Sequence, residues 1–308
     1  MRYPANVPPG DPVPAAPLSA WIGALVITAF AGLAAWTIAI EAGAPAAAPF
    51  VDFNQARANA LRDHSQAPNS VTVVMLGSSA LKYATRQESA FADGISSRIG
   101  RPVRVLRIVS NWGTFSDYVP LAHDLEALRP DLVVLEQPLL ATDRPRMRSF
   151  LLWIEGARLR LGVASPLESS AEDEAYVQFE HPCWKRGFGR GLEDHMRELN
   201  EWVALRPDGP AAAAARQFVE NLLATGAEVA LVDIPRRPDY AEQMRRTSSA
   251  ATSGPAFEAL QNRVQYWEHG PLDAGLYCDL THVTPAGQEV LSTWLESMVA
   301  EALAQQAA

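Results

Sequence analysis

VTVVMLGSSALKYAT, Val71 to Thr85, begins as a mostly aliphatic run and stops at Gly77-Ser78-Ser79. The run is too short for a helix that crosses anything, and its Val and Leu residues suit a strand covered on both faces. A strand that ends in a glycine and two hydroxyl residues is either a turn or the seat of a nucleophile. Serine is common in such turns and can simply cap a helix, so the other end of the chain has to decide.

Three further runs have the same character: VRVLRIV (103–109), DLVVLE (131–136) and EVALVDI (228–234). Between them lie helical patterns. The segment 87–100 ends in Gly100 and the segment 210–226 in Gly226, both plausible helix stops, and 115–130 ends at Pro130. A last helix follows Thr284, a residue suited to capping, with Pro285 at the first helical position. Strands alternating with helices predict an α/β fold, an open, doubly wound parallel sheet. In such sheets ligands bind beyond the carboxyl ends of the strands, where Gly77-Ser78-Ser79 falls. The segment 141–210 breaks the alternation and reads as an insertion. Arg144, Arg146, Arg148, Arg158 and Arg160 make its first part basic, which suits a lid, a surface for a membrane or anionic polymer, or a solvated helix face.

The N-terminal part is different in kind. Residues 1–17 are proline-rich with little that can pack, and read as a disordered tail. Leu18 to Ile40 carries no charge and spans roughly 35 Å as a helix, against a bilayer core of about 30 Å. Trp21 and Trp36 stand near its ends, as in an interfacial aromatic belt. A signal peptide has a shorter apolar core and a basic start, so we read an anchor, followed by a linker over 41–65 and a domain over 66–308. Arg2 favours a cytoplasmic amino terminus, which puts the domain on the periplasmic side of the inner (cytoplasmic) membrane. The net charge of -9 argues against nucleic acid as a partner. Neither a glycine-rich phosphate loop nor a metal-ligand cluster stands out, so no cofactor and no metal is expected. The two cysteines, Cys183 and Cys278, allow one intramolecular disulfide, suited to an oxidising compartment.

The second chemical motif is YCDLTHVTPAGQ, Tyr277 to Gln288. Asp279 and His282 stand at i and i+3, a spacing that lets a carboxylate hold one imidazole nitrogen and leave the other free to take a hydroxyl proton. Serine needs that help, because its hydroxyl is a weak nucleophile unaided. The chain order Ser…Asp-x-x-His, with the serine after the first strand and the pair before the last helix, resembles the SGNH (GDSL-type) hydrolase superfamily over about 65–305. The resemblance implies a flavodoxin-like three-layer α/β/α domain. It implies Ser79 as nucleophile, His282 as base and Asp279 as its orienter, with Ser78 where the usual motif has aspartate. The family's oxyanion donors map onto the Ser79 N–H and Gly113. Its block-three asparagine has no match, which leaves Gln137 and Asn111 as candidates. The Gly-Ser-Ser variant looks like membrane-anchored members that serve cell-envelope polymers. The implied activity is that of a serine esterase or O-acyltransferase on acyl esters of an extracytoplasmic polysaccharide. A membrane-bound acyl-transfer partner is the implied companion. The rival is an inactive SGNH-like subunit that binds polysaccharide or scaffolds an envelope complex.

Overall fold

The computed structural model describes residues 17–41, 48–63, 69–110, 113–143, 204–251 and 260–306. The chain forms two units, 1–42 and 43–308. The first holds helix α1 (Leu18–Glu41), whose described side chains are almost all exposed, with Trp21, Leu25, Ile27 and Phe30 bare. By length and apolarity α1 can cross a membrane, a test that a signal sequence also passes.

The second unit carries the expected doubly wound sheet. Strands β1 (Val71–Gly77), β2 (Val103–Val109), β3 (Leu132–Glu136), β6 (Glu228–Asp233) and β7 (Gln265–Glu268) are all parallel, in the order β2-β1-β3-β6-β7. The pleat divides the core. Val74 and Leu76 of β1 face the layer made by α2 (Ala48–Asp63), α5 (Ala122–Ala127) and α6 (Pro210–Ala224). Val73 and Met75 face the layer of α3 (Ser79–Ala84), α4 (Glu88–Ile99) and α8 (Pro285–Gln306). A further helix, α7 (Pro238–Ala251), follows β6. Because β1 has β2 on one side and β3 on the other, the chain leaving β1 emerges where the strand order reverses, and Ser78 and Ser79 occupy that crevice.

Two expectations need correction. Much of the linker read over 41–65 is helix α2, which buries Phe50, Asn54 and Ala58 on one stripe against the sheet. The helix read over 115–130 is two 3₁₀ turns, Phe115–Asp117 and Val119–Leu121, and then the short α5. A Thr114–Asp117 capping box and Pro120 break it there. Strand β7 was not anticipated at all. Within the expected insertion, Thr142–Asp143 (β4) pairs antiparallel with Ala204–Leu205 (β5), and α6 begins at Pro210. The basic stretch 144–160 lies outside the described residues. Gly100 ends α4 as expected, at φ 67° with its N–H on Ser96 O.

Candidate active site

Ser78 and Ser79 differ in what their hydroxyls do. Ser78 caps α3: its Oγ accepts the Ala80 N–H at 3.1 Å and donates to Glu136 Oε1 at 3.0 Å. Ser79, the first residue of α3, has its Oγ 2.9 Å from His282 Nε2. The other imidazole nitrogen, Nδ1, lies 2.7 Å from Asp279 Oδ2. A carboxylate can only accept, so Nδ1 carries the proton and Nε2 is left as the acceptor for the Ser79 hydroxyl. Ser79 and His282 are half-buried, while Asp279 is 1% exposed.

The Asp279 loop is tied mostly to itself. Oδ1 accepts the N–H groups of Thr281 at 2.7 Å and His282 at 2.8 Å. Burial pushes the Asp279 carboxyl up, but the hydrogen bond and charge of His282 and these two backbone donors outweigh it and hold it below the ordinary carboxylate range. Cys278 N–H donates to His282 O at 2.8 Å and Thr284 N–H to Leu276 O at 2.7 Å. Thr284 Oγ1 then accepts from Gly287 N–H at 3.2 Å, as an N-cap of α8. Gly287 has to be glycine: a Cβ there would sit 2.6 Å from Leu276 O.

Two braces join the halves of the site. Gln288 Nε2 donates to the carbonyls of Tyr83 (3.2 Å) and Thr85 (3.0 Å), at the end of α3. Arg86 pairs with Glu289 and with the buried Glu296, and its N–H reaches Ser292 Oγ at 3.1 Å, so α3 and α8 are held together beside the site. The Tyr83 ring meets His282 edge to face, with centroids 4.8 Å apart. Burial, then the charge of Asp279, pushes the Tyr83 hydroxyl up.

The oxyanion candidates are a mixed set. Among the described residues the Ser79 N–H, at the start of α3, has no acceptor, as expected of a first-turn donor. The Gly113 N–H is engaged with Ser110 O at 3.0 Å. Gln137 follows β3 directly and is buried. Asn111 lies outside the described residues, as does Cys183 of the Cys183–Cys278 pair. Among the described residues no group of three or more His, Cys, Asp or Glu is placed to hold a metal ion.

The sequence reading missed the support beneath Gly77-Ser78-Ser79. Glu136, at the end of β3 and 1% exposed, takes the Ser78 N–H on Oε2 at 2.6 Å. Arg236, just past β6 and 8% exposed, donates to Glu136 Oε1 at 2.9 Å. Tyr118, fully buried, donates to Gly77 O at 2.5 Å and accepts the Ser110 N–H at 3.1 Å, which pins the ends of β1 and β2 together.

No protein-family model matches the chain, and no curated protein matches it by sequence. Among solved structures it is similar to a protein provisionally named an acylhydrolase from Bacteroides fragilis, at 12% identity over 79% of this chain and 95% of that one, with a TM-score of 0.43. It is similar to TesA at 15% identity, over 74% and 99% of the two chains, with a TM-score of 0.37. A carbohydrate acetylesterase from Sinorhizobium meliloti shares 13% identity, over 75% and 99%, with a TM-score of 0.38. At such low identities and TM-scores, none of these likenesses says which reaction the chain performs.

Proposed function

We propose that the chain is an SGNH-type serine enzyme of acyl-ester chemistry. The observation that carries this reading is the continuous relay Ser79 Oγ–His282 Nε2 (2.9 Å) and His282 Nδ1–Asp279 Oδ2 (2.7 Å). Ser79 Oγ attacks the ester carbonyl as its proton passes to Nε2, and Asp279 stabilises the imidazolium. The oxyanion forms against the Ser79 N–H, with Gln137 or Asn111 as the further donor. Collapse expels the alcohol with the proton from His282 and leaves acyl-Ser79. Water or a sugar hydroxyl then attacks, gives its proton to His282, and releases the acid or the new ester while Ser79 Oγ is reprotonated.

The finer reading is an esterase or O-acetyltransferase of an exopolysaccharide, anchored in the inner membrane by α1 with the domain on the periplasmic side. A membrane-bound acyl donor would serve it, and an oxidising compartment suits a Cys183–Cys278 disulfide. The apolar α1 and the Gly-Ser-Ser variant support this reading. Labelling the full chain with a fluorophosphonate and mapping the adduct tests the chemistry. An adduct on Ser79 that is lost in His282→Ala is the expected result. A folded chain with no adduct supports the second reading, a non-catalytic subunit that binds polysaccharide. One observation favours that reading: the Gly113 N–H is already engaged by Ser110 O.

A further inference from the structure

Across three neighbouring strand ends runs a chain of buried polar contacts: Ser78 after β1, Glu136 at the end of β3, Arg236 after β6. Both Glu136 oxygens are used. Oε2 takes the Ser78 N–H, while Oε1 takes the Ser78 hydroxyl and Arg236 Nη2. Arg236 also donates to Ile234 O, so its place is set by its own loop. Gly77 makes the approach feasible, because a Cβ there would stand 2.9 Å from Glu136 Oε2 and closer still to Leu81. A buried ion pair contributes little net stability against apolar residues of the same volume. A buried carboxylate one residue from a nucleophile is also an electrostatic hazard, since it repels the negative charge that develops on the attacked carbonyl. A guanidinium beside it removes that repulsion.

We propose that Glu136 and Arg236 are positioning residues for the Ser79 reaction: Glu136 fixes the Ser78 peptide and hydroxyl, so that the next N–H and hydroxyl, those of Ser79, face the substrate, and Arg236 cancels the carboxylate's field at the oxyanion. The proposal rests on the Ser79 reading above. It also accounts for the first serine of Gly-Ser-Ser, Ser78, whose hydroxyl is the link between the ion pair and the turn.

The test is steady-state hydrolysis of 4-nitrophenyl acetate by the full chain and by Glu136→Gln, Arg236→Gln and the double variant. Each single variant is expected to lose about 10²-fold in kcat, the scale of one oxyanion donor, with KM within about twofold of wild type. The double variant, with no unpaired charge, recovers about tenfold over the weaker single. Folded single variants with wild-type kcat, or losses confined to KM, overturn the proposal. Should the charge variants not fold, Ser78→Ala reads the same link: about tenfold lower kcat at unchanged KM supports it, and unchanged kcat overturns it. Fluorophosphonate labelling keeps the two readings apart. A folded wild type that does not label at Ser79 fails the nucleophile itself. Wild type and Glu136→Gln labelling at equal rates fails the positioning role alone.

Discussion

Ser79 is held by parts of the chain far from it in sequence, whereas His282 and Asp279 are held mostly by their own loop. The turn that carries Ser79 depends on Glu136, Arg236 and Tyr118, each from a different part of the chain. His282 and Asp279 depend on two backbone N–H groups within three residues, a short antiparallel bridge between Tyr277 and Val283, and the cap of α8. The difference teaches where damage spreads. A change in the loop alters the relay directly, while a change under the serine acts through the sheet.

If the two halves work as one unit, Ser79→Ala and His282→Ala each abolish about 10⁶ in kcat, and the double variant is no worse than either, as ester hydrolysis would show. Asp279→Asn leaves the loop in place but offers an amide to His282 Nδ1, which permits the wrong tautomer. It is expected to cost about 10⁴ in kcat with little change in KM. On the serine side, Gly77→Ala forces a Cβ to within 2.5 Å of Leu81. It is expected to destabilise the domain by about 1–3 kcal/mol, read as a lower denaturation midpoint at unchanged slope. Gln288→Ala removes one of the two braces between the halves, at about 0.5–1.5 kcal/mol per lost hydrogen bond. The smallest effect is on acid stability. The Asp279 carboxyl is held below its ordinary 3.8 in the folded state, so its contribution is complete above that value and is lost as pH falls beneath it. Melting temperature followed down through that range should fall less steeply in Asp279→Asn than in wild type.

The same contrast decides what could be read from the residues alone. Asp279 and His282 were legible because their contact is local and follows from i, i+3 spacing. Strands β1, β2, β3 and β6 were legible because burial on both faces makes them continuous apolar runs. Strand β7 was not, since QYWE lies at the sheet edge and buries only Trp267. Helix α2 hid its stripe in Phe50, Asn54 and Ala58, one of them polar and one small. Glu136 and Arg236 left no local mark: one ends β3, the other lies three residues past β6, and only the sheet order brings them together. The signal that pointed towards them was negative, a serine where the resembling family has aspartate.

The antiparallel pair of β4 and β5 carries a practical consequence. Thr142 stands opposite Leu205 and Asp143 opposite Ala204, so positions 143 and 204 are neighbours across a ladder whatever joins them. That ladder fixes the two points at which the chain leaves and rejoins the described fold. Replacing 144–203 with a two-residue hairpin turn would keep that register, and because it deletes Cys183 it would have to carry a second change, Cys278→Ser, in the loop that holds His282.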